Sequence, residues 1–359
     1  MTNSFKIIFF SLFFLIFFYL SNFFILSDLT DSNSPLKFLH IHYWHHDQYL
    51  INYRELGFVK RGLIGSIFNT NFENYIFISK LYSFLIVILI AYLYSKIILK
   101  FENQKNIFYF LILFGVSPFF FQNLGYEFAR LDQVGILFSV LVCYLIIEKK
   151  NILLVEIIAP ILILVHEQVF FTFVNFLIFV QFLIQRPLIN KIYVIFFSFF
   201  IMGALFLFGG IDHETYLLTK DKYKFIDIYF LRGPIESTLV FWPEMLYLDN
   251  YQTLLRHLFS IIVYVISIFY FYKIININYN SFFYIITFTV LFVIPTDHSR
   301  SLYLFLILMV LIFLINSKTK KTSLNFPKIK FRYFLIMFLG PIGTSAAFPI
   351  LGVIKRIIL

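Results

Sequence analysis

Four short stretches of this chain cluster side chains able to do acid–base or anion-binding chemistry, and long apolar runs separate them. They are YWHHDQYLINYRELGFVKRGLIG (Tyr43 to Gly65), YEFARLDQVG (Tyr126 to Gly135), HEQ (His166 to Gln168) and TDHSR (Thr296 to Arg300). Asp47, Glu167 and Asp297 offer carboxylates that can take a proton from an attacking hydroxyl. Arg54, Lys60, Arg61, Arg130 and Arg300 offer cations for an anionic leaving group, with arginine suited to bidentate phosphate contact. Asp132, His166 and His298 lie in the same clusters and are read with the cations as substrate-binding residues.

The first stretch is the richest. Read as one helix over 45–66, it puts Asp47, Arg54 and Arg61 at i, i+7 and i+14, on a single stripe. Asp47 is therefore the first choice as general base, because the two cations bring a leaving phosphate close and favour the charged carboxylate. Gly57, Gly62 and Gly65 leave bare backbone beside the stripe, and Gly57 is also a place where the helix can break. The plain alternative is an amphipathic helix at the membrane surface, with Trp44 and the tyrosines among headgroups. His45, His46 and Asp47 invite a divalent cation, but adjacent helical residues point in different directions. No resident metal is expected, and a cation there is the alternative. Elsewhere the plain alternative is an ion pair capping a tight turn, Arg130 with Asp132 or Arg300 with Asp297.

The elements that must position these residues follow from composition. Of 359 residues, 60% are hydrophobic, 22% aromatic and only 13% charged, with mean hydropathy +0.86, more apolar surface than a soluble core can absorb. The expected fold is all-α, a polytopic membrane protein forming one integral domain over residues 1–359. Long unbroken Phe/Ile/Leu runs argue for helices rather than the alternating strands of a barrel. About eleven spans are read, near 5–26, 76–99, 107–122, 134–148, 152–165, 169–185, 192–208, 257–272, 281–295, 301–316 and 333–354.

Basic residues in short loops then orient the chain. Lys96, Lys100 and Lys105, then Lys149 and Lys150, Arg186 and Lys191, Lys273, and the run from Lys318 to Arg332 fall on alternate loops. Those loops and the N-terminus are expected in the cytoplasm, with two long extracytoplasmic loops at about 27–74 and 209–256. Of 19 acidic residues, only Glu102, Glu148 and Glu156 then fall on or near the cytoplasmic side, and Glu156 is expected to snorkel to the interface. The net charge of +10 reflects basic loops beside an anionic leaflet and implies no nucleic-acid partner. The single Cys143 offers neither disulfide nor metal pair. No Walker A, G-x-G-x-x-G, HExxH or CxxC pattern is present.

Carboxylates and cations at an outer membrane boundary, among aromatic side chains able to stack on sugar rings, suit transfer of an oligosaccharide from a polyprenyl phosphate or pyrophosphate. The span count, the long outer loop late in the chain and the arginines in outer loops resemble the bacterial O-antigen and capsule repeat-unit polymerases. Arg54 and Gly65, separated by ten residues in YRELGFVKRGLIG, match a spacing found in periplasmic loops of some of them, while Arg232 meets Pro243 at the same offset. The resemblance implies a multi-pass protein of the bacterial inner membrane. It would join undecaprenyl-pyrophosphate-linked repeat units at the periplasmic face, with a chain-length regulator and a flippase as partners and membrane lipid around it. Asp47 in HHDQY also occupies the place of the loop carboxylate in membrane-embedded C-type glycosyltransferases, although no paired acidic motif accompanies it. A transporter or flippase of lipid-linked sugars is the alternative from another class. It would carry polar residues along its helices.

Overall fold

The computed structural model describes residues 2–23, 36–41, 43–71, 73–117, 120, 124–125, 127–211, 262, 265–266 and 298–319. Among the described residues every regular element is helical and no strand occurs. The long helices are α1 (Asn3–Phe23), α5 (Tyr75–Leu99), α7 (Gln133–Ile147), α10 (Leu188–Phe208) and α11 (His298–Thr319). Shorter ones are α2 (Tyr43–His46), α3 (Tyr53–Leu56), α4 (Gly62–Phe68), α6 (Lys105–Gly115), α8 (Leu153–Ile158) and α9 (Asn175–Leu183).

Among the described residues, three helical segments are long and apolar enough to cross a membrane: Asn3–Asn22, Tyr75–Leu99 and Leu188–Phe208, with mean hydropathies of 2.0, 2.3 and 2.2. At ~1.5 Å per residue each reaches about the ~30 Å of a hydrocarbon core. Within the segment read as a span near 107–122, one α-helix is described, Lys105–Gly115. The run near 152–165 is not one regular α-helix either. Pro160 has no N–H to donate and its ring crowds the preceding turn, so α8 stops at Ile158 and Ile161–Leu164 winds as a 3-10 turn. The spans read near 257–272, 281–295 and 333–354 lie wholly or mostly outside the described residues, as does nearly all of the loop at 209–256.

α5 is the spine: α1 and α7 pack along it, and α11 packs against α7. The helices run so that charge gathers at two poles. At the first, Lys6 of α1 pairs with Glu102 after α5, Lys100 Nζ sits 2.6 Å from Glu148 Oε1 after α7, and Lys318 Nζ near the end of α11 donates to the Lys100 carbonyl at 3.3 Å. At the second, Asn22 near the end of α1 donates to the carbonyls of His40 (2.8 Å) and Gly125 (3.1 Å), and the amide of Lys60 donates to the carbonyl of Gly209 just after α10 (3.0 Å).

Glu156 belongs to neither interface water nor lipid headgroup. It is buried, with Oε1 accepting from Arg186 Nε (2.8 Å) and Gln181 Nε2 (2.9 Å) and Oε2 from Arg186 Nη2 (2.6 Å) and Asn190 Nδ2 (2.7 Å). The expectation of a snorkelling side chain is corrected, because four donors from the ends of α9 and α10 satisfy the carboxylate where it is.

Candidate functional site

The stretch 45–66 does not form one helix, so the stripe of Asp47, Arg54 and Arg61 does not exist. α2 tightens into a 3-10 turn at Asp47–Leu50, the chain is extended at Ile51 and Asn52, and α3 begins where the Asn52 side chain accepts from the amide of Glu55 at 3.0 Å. Asn52 prefers this cap to a helix interior, where its amide would compete with the backbone. Gly57 then takes φ 67° and ψ −155°, a conformation nearly confined to glycine, and ends α3. α4 folds back over the 3-10 turn so closely that a Cβ on Gly65 would run into the carbonyls of Tyr49 and Ile51. The outcome separates the three residues: Asp47 is buried, Arg54 is exposed on α3, and Arg61 stands in the left-handed region at φ 64° just before α4.

Three of the four chemistry-bearing stretches meet at the second pole. Arg61 grips Glu167 with two nitrogens: Nε lies 2.9 Å from Oε2 and 3.1 Å from Oε1, and Nη2 closes on Oε1. The second arginine, Arg130, follows Ala129, which is itself left-handed at φ 69°. Its Nη1 lies 2.5 Å from Oε2 of Glu127, three residues before it. The same Glu127 oxygen is 3.4 Å from His45 Nε2, while His45 Nδ1 is bonded to the Phe128 carbonyl at 2.7 Å. The start of α7 lies against the turn after Glu167, where the Cβ position of Gly135 is 3.3 Å from Thr172 Oγ1 and 3.7 Å from Val169.

Exposure grades these groups by depth. The side chains of Arg61, Glu167, Arg130 and Glu127 are 12, 18, 17 and 18% exposed, whereas those of His46 and Asp47 are each 4%. His46 Nε2 is 3.5 Å from Asp47 Oδ1, and its ring stacks on Tyr75 at the start of α5 with centroids 5.1 Å apart. Tyr49 OH meets Ser83 Oγ of α5 at 3.0 Å. Asp132, Lys60 and Lys80 are buried as well. His166 Nδ1 accepts the amide of Gln168 at 3.1 Å and lies 3.7 Å from Glu167 Oε2.

Burial pushes the Glu167 carboxyl up, but the charge and hydrogen bonds of Arg61 together with the charges of His166 and Lys60 outweigh it and hold the group well below the usual carboxylate range. Glu167 is thus a firmly ionised anion and a weak proton acceptor. Burial pushes the His45 imidazole below its ordinary value, against the opposing pull of Glu127.

His45 and His46 turn to different partners, and among the described residues no three His, Cys, Asp or Glu side chains converge as metal ligands. Asp297 lies outside the described residues. His298 and Arg300 open α11, whose other end carries Lys318 at the first pole, so 22 residues at ~1.5 Å each carry them toward the second. Sequence reasoning gave no role to two residues at this pole. Glu127 could have been found as the carboxylate one helical turn before Arg130. Lys80 was legible as a charge inside an apolar run.

No protein family, curated protein sequence or solved structure matches the chain.

Proposed function

We propose that the chain is a membrane-embedded glycosyltransferase that joins polyprenyl-pyrophosphate-linked oligosaccharide repeat units, at the extracytoplasmic face of a bacterial inner membrane, during O-antigen or capsule synthesis. The observation that carries this reading is the depth-graded charge at one pole. Two largely buried arginines, from stretches ~70 residues apart in sequence, lie at the pole that also holds a buried carboxylate–imidazole pair.

In the reaction, an acceptor sugar hydroxyl loses its proton to a carboxylate and its oxygen attacks the anomeric carbon of the donor. The bond from that carbon to pyrophosphate breaks, and polyprenyl pyrophosphate leaves with the electron pair. Arg61 and Arg130 suit the leaving phosphates, since a guanidinium fork matches two oxygens at once. Asp47 suits the base better than Glu167, whose proton affinity Arg61 suppresses. Arg54, exposed on α3, and His166, beside Glu167, are within the same pole and suit sugar or phosphate contacts. A chain-length regulator and a flippase are the partners such an activity needs.

One observation favours a second reading. Lys80 is wholly buried within α5, and a buried helical cation also suits a transporter or flippase of lipid-linked sugars. Reconstitution separates the two. The full chain in liposomes, given a polyprenyl-pyrophosphate oligosaccharide, should make longer products resolvable on a gel, and Arg61→Ala and Arg130→Ala should each reduce them by tenfold or more. Flip of the labelled lipid across the vesicle without any longer product would replace the transferase reading with the transporter one.

A further inference from the structure

At the first pole Glu102, Glu148 and Glu156 each have a cation, from Lys6, Lys100 and Arg186. Lys96, in the last turn of α5, and Lys150, just past α7, meet no carboxylate among the described residues, and aromatic rings hold them instead. Lys96 Nζ stands 4.4 Å from the centre of the Tyr92 ring and 5.4 Å from that of Tyr144, and Lys150 Nζ is 5.7 Å from the same Tyr144 ring. The end of α7 brings the second lysine back to that ring. Lys149 is left-handed at φ 55°, its amide donates to the Ile146 carbonyl (2.9 Å), and the Lys150 amide donates to the Leu145 carbonyl (2.7 Å), the paired bonds of a Schellman cap. A ring face attracts an ammonium group without neutralising it, so two positive charges are gathered on one tyrosine.

An apolar stripe leads to these lysines. Leu81, Leu85, Leu89 and Tyr92 are exposed, follow one another along a single face of α5, and Lys96 continues the row four residues on. At ~1.5 Å per residue the row from Leu81 to Lys96 is about 22 Å long, more than the ~15 Å of one leaflet's hydrocarbon. An acyl chain laid along it stays on protein over its whole depth, with its headgroup at the lysines. We propose that this is a binding site for one anionic phospholipid of the leaflet at the first pole. Its phosphate lies between the ammonium groups of Lys96 and Lys150, Tyr92 and Tyr144 flank it, and one acyl chain runs along Leu81, Leu85 and Leu89. Charge decides the class of lipid. A phosphatidylglycerol headgroup brings a full negative charge to the two cations, whereas phosphatidylcholine carries a cation of its own against them. The bound lipid ties the end of α5 to the end of α7, and the assignment is independent of the reaction proposed at the other pole.

The test adds palmitoyl-oleoyl phosphatidylglycerol, or the matching phosphatidylcholine, to the detergent-solubilised full chain and reads bound lipid by native mass spectrometry and the melting temperature. Wild type should bind phosphatidylglycerol about tenfold tighter or more and melt higher in its presence. Lys96→Gln and Lys150→Gln should each weaken that binding by about fivefold and the double variant by about 25-fold, with phosphatidylcholine unaffected. Tyr144→Leu removes the shared ring without changing a charge and should weaken binding too, whereas Tyr144→Phe should keep it. Lys105→Gln, at an exposed lysine opening α6, should leave it unchanged. Equal affinity of wild type for the two lipids, full binding by the double variant or by Tyr144→Leu, or an equal loss in Lys105→Gln would overturn the proposal. Displacement of the lipid by an equal concentration of inorganic phosphate would also overturn it, by making the site one for a free anion. The comparison of the two lipids on wild type needs no variant, so a variant that fails to fold does not shield the proposal.

Discussion

Arg61 and Glu167 are near enough to share two nitrogens and two oxygens, and the sign of their pH dependence follows from which of them titrates. Glu167 has its folded pKa depressed below its unfolded value, so its contribution to stability is full above the unfolded carboxylate range and is lost only as pH falls through the folded value. His45 is also depressed on folding, from an ordinary 6.5, so its buried neutral form stabilises the fold above that value and loses ground as pH falls below it. Thermal melts in detergent should therefore show a first loss of stability beginning near pH 6.5 that is absent in His45→Gln. A second loss, at lower pH, should be absent in Glu167→Gln. Asp47→Asn keeps the size and some hydrogen bonding of the side chain but cannot take a proton. Elongation by a well-inserted variant should fall by ~100-fold or more, and near-normal polymer would move the base to another carboxylate. Arg61→Lys keeps the charge and loses the fork, so it should impair elongation almost as much as Arg61→Ala.

The first loop works through its breaks rather than its helices. Gly57 ends α3, Gly65 lets α4 lie on the carbonyls of Tyr49 and Ile51, and between them Arg61 is turned toward Glu167. Gly65→Ala places a methyl against backbone that has no rotamer to escape with. A loss of roughly 1–3 kcal/mol is expected, read as a lower melting temperature together with reduced elongation. At the opposite pole the ends of α8, α9 and α10 are tied by Glu156 and Arg186. Removing one partner leaves the other buried and charged, so Arg186→Ala should cost about 3–5 kcal/mol, whereas exchanging both for apolar residues should cost much less. Melting of the single and double variants in detergent checks both values.

Across the whole molecule the two poles carry opposite expectations. Reporter fusions after Lys150 and after Lys321 should read cytoplasmic, and fusions after Gly210 and after Asn250 should read extracytoplasmic, if loop charge sets the orientation. An inverted result at either pair would put the Arg61 and Arg130 pole on the cytoplasmic side and remove the periplasmic reaction proposed for it.

Composition alone determined that the chain is helical and rich in membrane-length apolar runs, because 60% hydrophobic residues in unbroken stretches admit few other solutions. The clusters that hold the candidate site were legible for the same reason, since charge amid such sequence stands out. The partners within them were not. Heptad spacing placed Asp47, Arg54 and Arg61 together only on the assumption of one continuous helix. Asn52 and Gly57 break it for local reasons, after which each side chain answers to tertiary neighbours more than 80 residues away in sequence: Arg61 to Glu167, His45 to Phe128. Glu156 shows the same division, a carboxylate whose place near a helix end was readable and whose four donors were not. Local pattern sets which residues lie at a helix end, but which of them pair is decided by how the helices pack, because burial makes an unpaired charge too costly to keep.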